Sequence, residues 1–290
     1  MSRLAPSARI DLHVHSTHSD GTESPAQVVG RAREAGLDVV ALTDHDAVSG
    51  WEEADRAGRE RGVAVVPGLE LSCSAAGASV HLLGYFVDPT HPALLEELGR
   101  IRGSRDDRLR RMVDRLAEAG FPVSWEEVLG QASAGASLGR PHIADVLVLR
   151  GRYPDRDAAF ADVLHSSSRF HVAHIAPDPR RAVELVRSAG GAAVLAHPFA
   201  AARGRGVPRE LLGDLVEAGL AGIEVDHRDH DGAGRELARR LASRHGLLPT
   251  GSSDYHGSGK PNRLGEHTTQ PRVLSALLER TGGQLLGASP

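Results

Sequence analysis

The chain has 290 residues, 40% of them hydrophobic, enough for one large domain or two modest ones around a real core. Its 38 acidic residues outnumber its 34 basic ones, which excludes nucleic-acid binding through bulk positive charge, although a local basic patch remains open. A single cysteine, Cys73, excludes an internal disulfide framework and a cysteine-based zinc site, and reads as a small buried residue.

Short apolar runs alternate with helical patterns. Residues 9–15 read as a strand. A helix follows over Pro25–Ala35, with Ser24 as its cap and Gly36 as its stop. Val39–Leu42 is a continuous apolar run, as expected of a strand buried on both faces. A helix over Ser49–Arg61 stops at Gly62, and strands are expected over Ala64–Leu69 and Val80–Val87. The alternation resumes with helices at Arg180–Ser188, Pro208–Ala218 and Gly234–His245, and with strands at Ala192–Ala196, Gly222–Val225 and Leu248–Ser252. About seven strands interleaved mostly with helices predict an α/β, barrel-like sheet, in which chemistry sits where strands end and loops begin.

Residues 92–170 interrupt the rhythm and read as a mostly helical insertion between two parts of the barrel, 9–91 and 171–282. Seven arginines fall between Arg100 and Arg115, alongside Asp106, Asp107 and Asp114. That spacing suits a solvated helix face laced with ion pairs. It also suits a guide for an anionic substrate.

The 16 histidines, against 5 Phe, 3 Tyr and 2 Trp, need a reason, and metal is the sharpest one. In Asp11-Leu12-His13-Val14-His15, residues 13 and 15 share one face of a strand, which is half of a divalent-metal site. Further donors fall at or just past successive strands: Asp20, His45, Glu70, His81, His197, Asp254 and His256. Six histidines and three carboxylates exceed what one ion can hold. Two or three ions are expected, with a carboxylate as bridge. A mixed nitrogen and oxygen donor set without cysteine suits manganese, iron or zinc.

The motifs His13-Val14-His15-Ser16, Ser19-Asp20-Gly21, Thr43-Asp44-His45-Asp46, Gly68-Leu69-Glu70, His81-Leu82-Leu83-Gly84, Ala196-His197-Pro198 and Ser253-Asp254-Tyr255-His256-Gly257 resemble, in order, those of the PHP-domain metal-dependent phosphoesterases. The resemblance runs over nearly the whole chain. It is nearest to the bacterial subgroup that hydrolyses nucleoside 3′,5′-bisphosphates and trims short 5′-phosphorylated RNA from its 5′ end. It implies a distorted seven-stranded β/α barrel with a trinuclear site. One metal would be held by His13, His15, Glu70 and Asp254, a second by Glu70 as bridge with His81 and His197, and a third by Asp20, His45 and His256. Manganese is the implied metal, with iron or zinc as alternatives. Such ions activate a hydroxide for in-line attack at phosphorus.

The same subgroup carries a Gly-Arg-Pro-His stretch at the end of its helical insertion, here Gly139-Arg140-Pro141-His142. Arg140 is therefore the first candidate for phosphate contact and catalysis, through its guanidinium fork. His142 is a candidate substrate contact. His227 ends the sixth strand and is a candidate to protonate the leaving group or touch phosphate. Asp226 stands before it where the family usually has an aromatic residue. Lys260 is the only lysine among the 34 basic residues, a further candidate phosphate contact.

The expected substrate is a phosphorylated nucleotide or short RNA. A small phosphomonoester such as histidinol phosphate is the alternative within the family. A non-catalytic metal-binding module is the alternative of another class, disfavoured because all nine ligand positions are filled. No run of about 18 apolar residues marks a membrane span, residues 1–9 lack the apolar segment of a secretory signal, and the cytoplasm is the expected compartment. No obligate protein partner is indicated.

Overall fold

Seven strands form one sheet in the order β1 to β7: Ile10–Val14, Val39–Leu42, Ala64–Ala75, Ala78–Tyr85, Ala192–Leu195, Gly222–Asp226 and Leu248–Gly251. The computed structural model describes residues 4–133, 135–173, 175–200, 207 and 209–287. A parallel bridge between Val14 and Tyr255 brings the two edges together, so the sheet is a nearly closed barrel. Helices α1 (Pro25–Glu34), α2 (Trp51–Arg61), α7 (Pro179–Ser188), α8 (Arg209–Ala218) and α9 (Gly232–His245) cover its outside. Pro208, the expected start of α8, lies outside the described residues.

The two faces of the strands differ as their period of two requires. Val40, Val65, Leu82, Leu195 and Ile223 face the helices. Val39, Val66, Leu83, Tyr85 and Val194 pack together in the lumen, where Leu274 and Leu277 of α10 (Pro271–Thr281) join them. That helix was not anticipated, although Val273, Leu274 and Leu277 carry a legible helical spacing.

The central strands depart from the sequence expectation. β3 does not end at Leu69 but runs on to Ala75 and turns through Ala76 and Gly77, both at positive φ, into β4. Two consecutive left-handed residues are what the tightest hairpins need. The first half of β3 pairs with β2 in parallel, and its second half pairs with β4 antiparallel. β4 also runs antiparallel to β5, so the mouth of the barrel meets the N-terminal half of β4. That reversal puts His81, opposite Ser72, among the strand-end residues.

β1 contains a register shift between Asp11 and Val14, where one extra residue stands against β2. Ile10 and Leu12 pack in the lumen, while Val14 packs outside. The bulge thus turns two consecutive residues, Leu12 and His13, inward. Bulges re-aim side chains in this way.

Residues 92–170 are mostly helical: α3 (Pro92–Glu118), α4 (Trp125–Leu129), α5 (Arg140–Leu149), α6 (Arg156–Ala159) and a π-helical turn, Phe160–Leu164. They enclose a second core of Leu109, Met112, Leu116, Val128, Ile143, Leu147 and Leu164. α3 belongs to both cores, because Leu94, Leu98 and Ile101 of its first turns pack with the barrel helices.

Candidate metal centre

All nine expected donors converge at the barrel mouth. His13, His15, Glu70 and Asp254 offer atoms within 4.8 Å of one another, as do His15, Asp20, His45 and His256, and likewise His45, Glu70 and His81. His197 joins through Nε2, 3.1 Å from Glu70 Oε1. Glu70 is the hub. Its Oε2 lies 3.1 Å from His13, 3.0 Å from His15 and 3.3 Å from His45, and its Oε1 lies 2.7 Å from His81.

Several of these atoms are buried without a hydrogen bond: Asp20 Oδ1, His45 Nδ1 and His256 Nε2. Unsatisfied buried polar atoms are costly unless something else occupies them. Five imidazoles around one carboxylate, with a second cluster beside it, suit divalent cations of intermediate softness. The donor set and its orphaned atoms therefore fit metal.

Supporting groups orient two of the rings. His13 Nδ1 meets Glu224 Oε1 at 3.1 Å, and His256 Nδ1 meets the Asp254 carbonyl at 2.8 Å, so Nε2 of each faces the cluster. Partners of this kind fix the tautomer and orientation of a ligating imidazole. Glu224 was missed at the sequence level. It also accepts from the His197 amide at 2.6 Å and from the Ser252 hydroxyl. Its only local signal was a glutamate between the apolar Ile223 and Val225. His230, given no role from sequence, is also structural: Nδ1 bonds the Val225 carbonyl and Nε2 accepts from the Phe199 amide, which holds the segment after His197.

Backbone strain gathers at the same place. Asp46, His197 and Asp254 have φ of 51°, 26° and 54°, a region that non-glycine residues rarely occupy. Gly21 is required by close approach, since any Cβ there would lie 2.6 Å from the His15 carbonyl oxygen.

Charge balances across the cluster. Burial raises the carboxyl of Glu70, but His45, His13 and His81 overcome it and hold it well below the usual range. Burial lowers His15, but Asp254 and Glu70 overcome that and raise it to about 9. Burial, Lys260 and His15 lower His256 to about 4. A cation that ligates His15 must displace a proton held up to about pH 9. Metal affinity in chelator competition is therefore expected to rise with pH up to that value, by about tenfold per unit for each displaced proton. A profile flat between pH 7 and 9 would contradict it.

The remaining candidates separate. Arg140 and Lys260 line a cavity of about 590 Å³ together with Asp20, His45, His81 and His197. Lys260 Nζ lies 3.1 Å from Asp254 Oδ2. Arg140 donates to the Leu164 carbonyl at 2.7 Å and lies over the Phe160 ring. His227 is buried at the mouth, with Nε2 3.8 Å from Asp254 Oδ2. Its Nδ1 accepts from the Asp229 amide at 3.0 Å, which leaves Nε2 of a neutral ring as the donor; His227, Asp229 and Asp254 also place atoms within 4.8 Å of one another, a fourth group of the kind that could hold a metal. His142 does not line the cavity. The residue is 2% exposed, and its Nδ1 accepts from the Gly139 amide at 3.0 Å, which braces the turn that carries Arg140.

The arginine-rich part of α3 is not merely a solvated face. Arg100 pairs with Glu97, but Arg105 and Arg108 are buried and line the cavity. Arg105 bonds Asp46 Oδ2 at 2.9 Å, Ser72 Oγ at 2.6 Å and the Leu138 carbonyl at 2.9 Å. It thereby ties the strand ends to the Arg140 turn. Burial, then Arg140 and Arg105, lower Arg108 to about 9; burial, then Arg105, lowers Arg140 to about 10. Both stay charged at neutral pH.

Residues 11–123 match the family model described as PHP domain. The chain is 35% identical to the 3′,5′-nucleoside bisphosphate phosphatase of Chromobacterium violaceum, over 90% of this chain and 92% of that one. It is 38% identical to the phosphoribosyl 1,2-cyclic phosphate 1,2-diphosphodiesterase of Eggerthella lenta, over 85% and 94%. A crystal structure from Bifidobacterium adolescentis, described as a metal-dependent phosphoesterase, is 39% identical and superposes with a TM-score of 0.92 over 96% of this chain and 98% of that one.

Proposed function

The chain belongs to the PHP family of metal-dependent phosphoesterases, and on that premise we propose that its substrate is a ribose carrying two phosphoryl groups. A nucleoside 3′,5′-bisphosphate that loses its 3′-phosphate fits best, with short 5′-phosphorylated RNA as a related substrate. The observation that carries this reading is the composition of one cavity. It is lined by metal-ligand candidates and by Arg105, Arg108, Arg140 and Lys260. One phosphoryl group would sit at the ligand cluster and the other on the guanidinium groups. The names of both curated relatives describe a ribose with two phosphoryl groups.

Two or three divalent ions, manganese before iron or zinc, would be held by His13, His15, Glu70 and Asp254, by Glu70, His81 and His197, and by Asp20, His45 and His256. When bound they supply a nucleophilic water at neutral pH and offset charge on the phosphoryl oxygens. The chain's own residues do the rest. Arg140 orients the non-reacting phosphate through its fork. His227 donates its Nε2 hydrogen toward the leaving oxygen or a phosphoryl oxygen. Lys260, beside Asp254, contributes a third positive group. Among the described residues no helix is long and apolar enough to cross a membrane. A nucleotide substrate favours a cytoplasmic setting.

Phosphate release with added manganese tests the reading. The panel is adenosine 3′,5′-bisphosphate, AMP, histidinol phosphate, a ribose 1,2-cyclic phosphate bearing a 5-phosphate, and a 5′-phosphorylated RNA oligomer. The bisphosphate is expected to have the highest kcat/KM. Turnover of histidinol phosphate alone would overturn the assignment, and turnover of nothing would favour a non-catalytic module. Preference for the cyclic phosphate would keep the two-phosphoryl site but move the reacting bond.

A further inference from the structure

We infer that Arg156, in the helical insertion, is a positioning residue for the Asp20–His45–His256 ligand group, and so governs how tightly that group holds its metal. The inference rests on the metal reading of that group and goes beyond it. Arg156 opens α6, and its side chain is 10% exposed. Nε and Nη2 each donate at 2.6 Å to one oxygen of Asp145 on α5. This fork-on-carboxylate pairing fixes the guanidinium plane and neutralises its charge. The third nitrogen, Nη1, then points out of the insertion and donates to the Asp20 main-chain carbonyl at 3.0 Å.

The guanidinium also presses on the second ligand loop. A Cβ on Gly259 would lie 2.1 Å from Nη1, so the backbone three residues after His256 passes directly against it. The two loops are bonded to each other: Thr22 N donates to the His256 carbonyl at 3.1 Å, and Ser258 N donates to Thr22 Oγ1 at 2.9 Å. Their carboxylate and imidazole face each other, with Asp20 Oδ1 3.1 Å from His256 Nε2 and no hydrogen bond between them. Those two bonds join the loops at Thr22, beside the ligand atoms, and Arg156 clips both loops from outside. The insertion reaches the His45 turn as well, through Arg102 on the Asp46 carbonyl at 2.7 Å and Arg105 on the Asp46 carboxylate at 2.9 Å. All three members of the Asp20–His45–His256 group therefore stand on segments that insertion residues touch, and Arg156 alone reaches two of them.

Two variants attack the clip without touching a ligand. Arg156→Lys keeps a positive charge but cannot hold Asp145 with two nitrogens and reach Asp20 with a third. Gly259→Ala pushes the guanidinium away and leaves it intact. Asp20→Asn is the control. Manganese bound per chain and its affinity would be measured by equilibrium dialysis and elemental analysis, alongside activity against added manganese. Each clip variant is expected to weaken one ion by about 10–100-fold while the others keep their affinity. Activity lost at low manganese should return when manganese is raised, a rescue that a purely structural defect would not show. The inference is overturned if Asp20→Asn loses an ion and both clip variants retain it, or if they lose all ions together. If Asp20→Asn leaves the ion count unchanged, the metal reading of that group fails, and the inference fails with it.

Discussion

Replacing Glu70 by Gln is expected to lower kcat by about 10³-fold or more, through the loss of both charge neutralisation and water activation, and to remove ions from two of the three groups at once. The reason is geometric. One buried carboxylate contacts His13, His15 and His45 through one oxygen and His81 and His197 through the other. An amide of the same shape carries no charge and offers one acceptor oxygen instead of two. Elemental analysis after dialysis, together with kcat at saturating manganese, checks the expectation. A variant with a full ion complement and kcat within tenfold of the parent would remove Glu70 from the centre of the mechanism.

The second large effect is expected at Arg140 and should fall on binding. Arg140→Ala deletes a half-buried cation from the cavity. Hydrogen bonds to charged groups contribute about 1.5–3 kcal/mol, and each 1.4 kcal/mol is a factor of about ten. KM for adenosine 3′,5′-bisphosphate should therefore rise about 10²-fold. A monophosphate has nothing to place on the guanidinium, so its KM should change by less than about threefold. Arg140→Lys should fall between, since it keeps the charge and loses the fork. Equal losses on both substrates would mean that Arg140 acts on the reacting phosphate or on folding, not on a second anion.

The donors that converge at the barrel mouth were legible because their signal is local. His13 and His15 two apart, His45 after an apolar run and Asp254 and His256 after another are patterns within a few residues. What escaped is what depends on partners far along the chain. Glu224 meets His13 across 211 positions, and nothing around it says so. Arg105 lies in a run that suited either a solvated face or an anion guide, and Arg156 carried no local signal, yet their contacts are Asp46, Ser72 and Asp20 in the barrel. Period-two reasoning correctly put His13 and His15 on one face. It could not show that a bulge had changed which face that was, because Ile10 and Leu12 also point inward. The antiparallel β4 was hidden for a related reason: an apolar run carries no direction, and only the short Ala76-Gly77 turn betrays the reversal.

The shared helix α3 sets a limit on modularity. An insertion held by two loose linkers could be lost, swapped or transplanted between relatives with little harm to its host. Here a cut at residues 92 and 170 would also take out Leu94, Leu98 and Ile101, which are fully buried among the barrel helices. Burying each such side chain contributes about 1.5–3 kcal/mol, a loss comparable in sum to the whole stability of a typical domain, about 5–15 kcal/mol. Recombination between relatives is therefore expected to succeed when its crossover lies inside α3, between Ile101 and Leu109, and to fail when it lies at the apparent edge of the insertion.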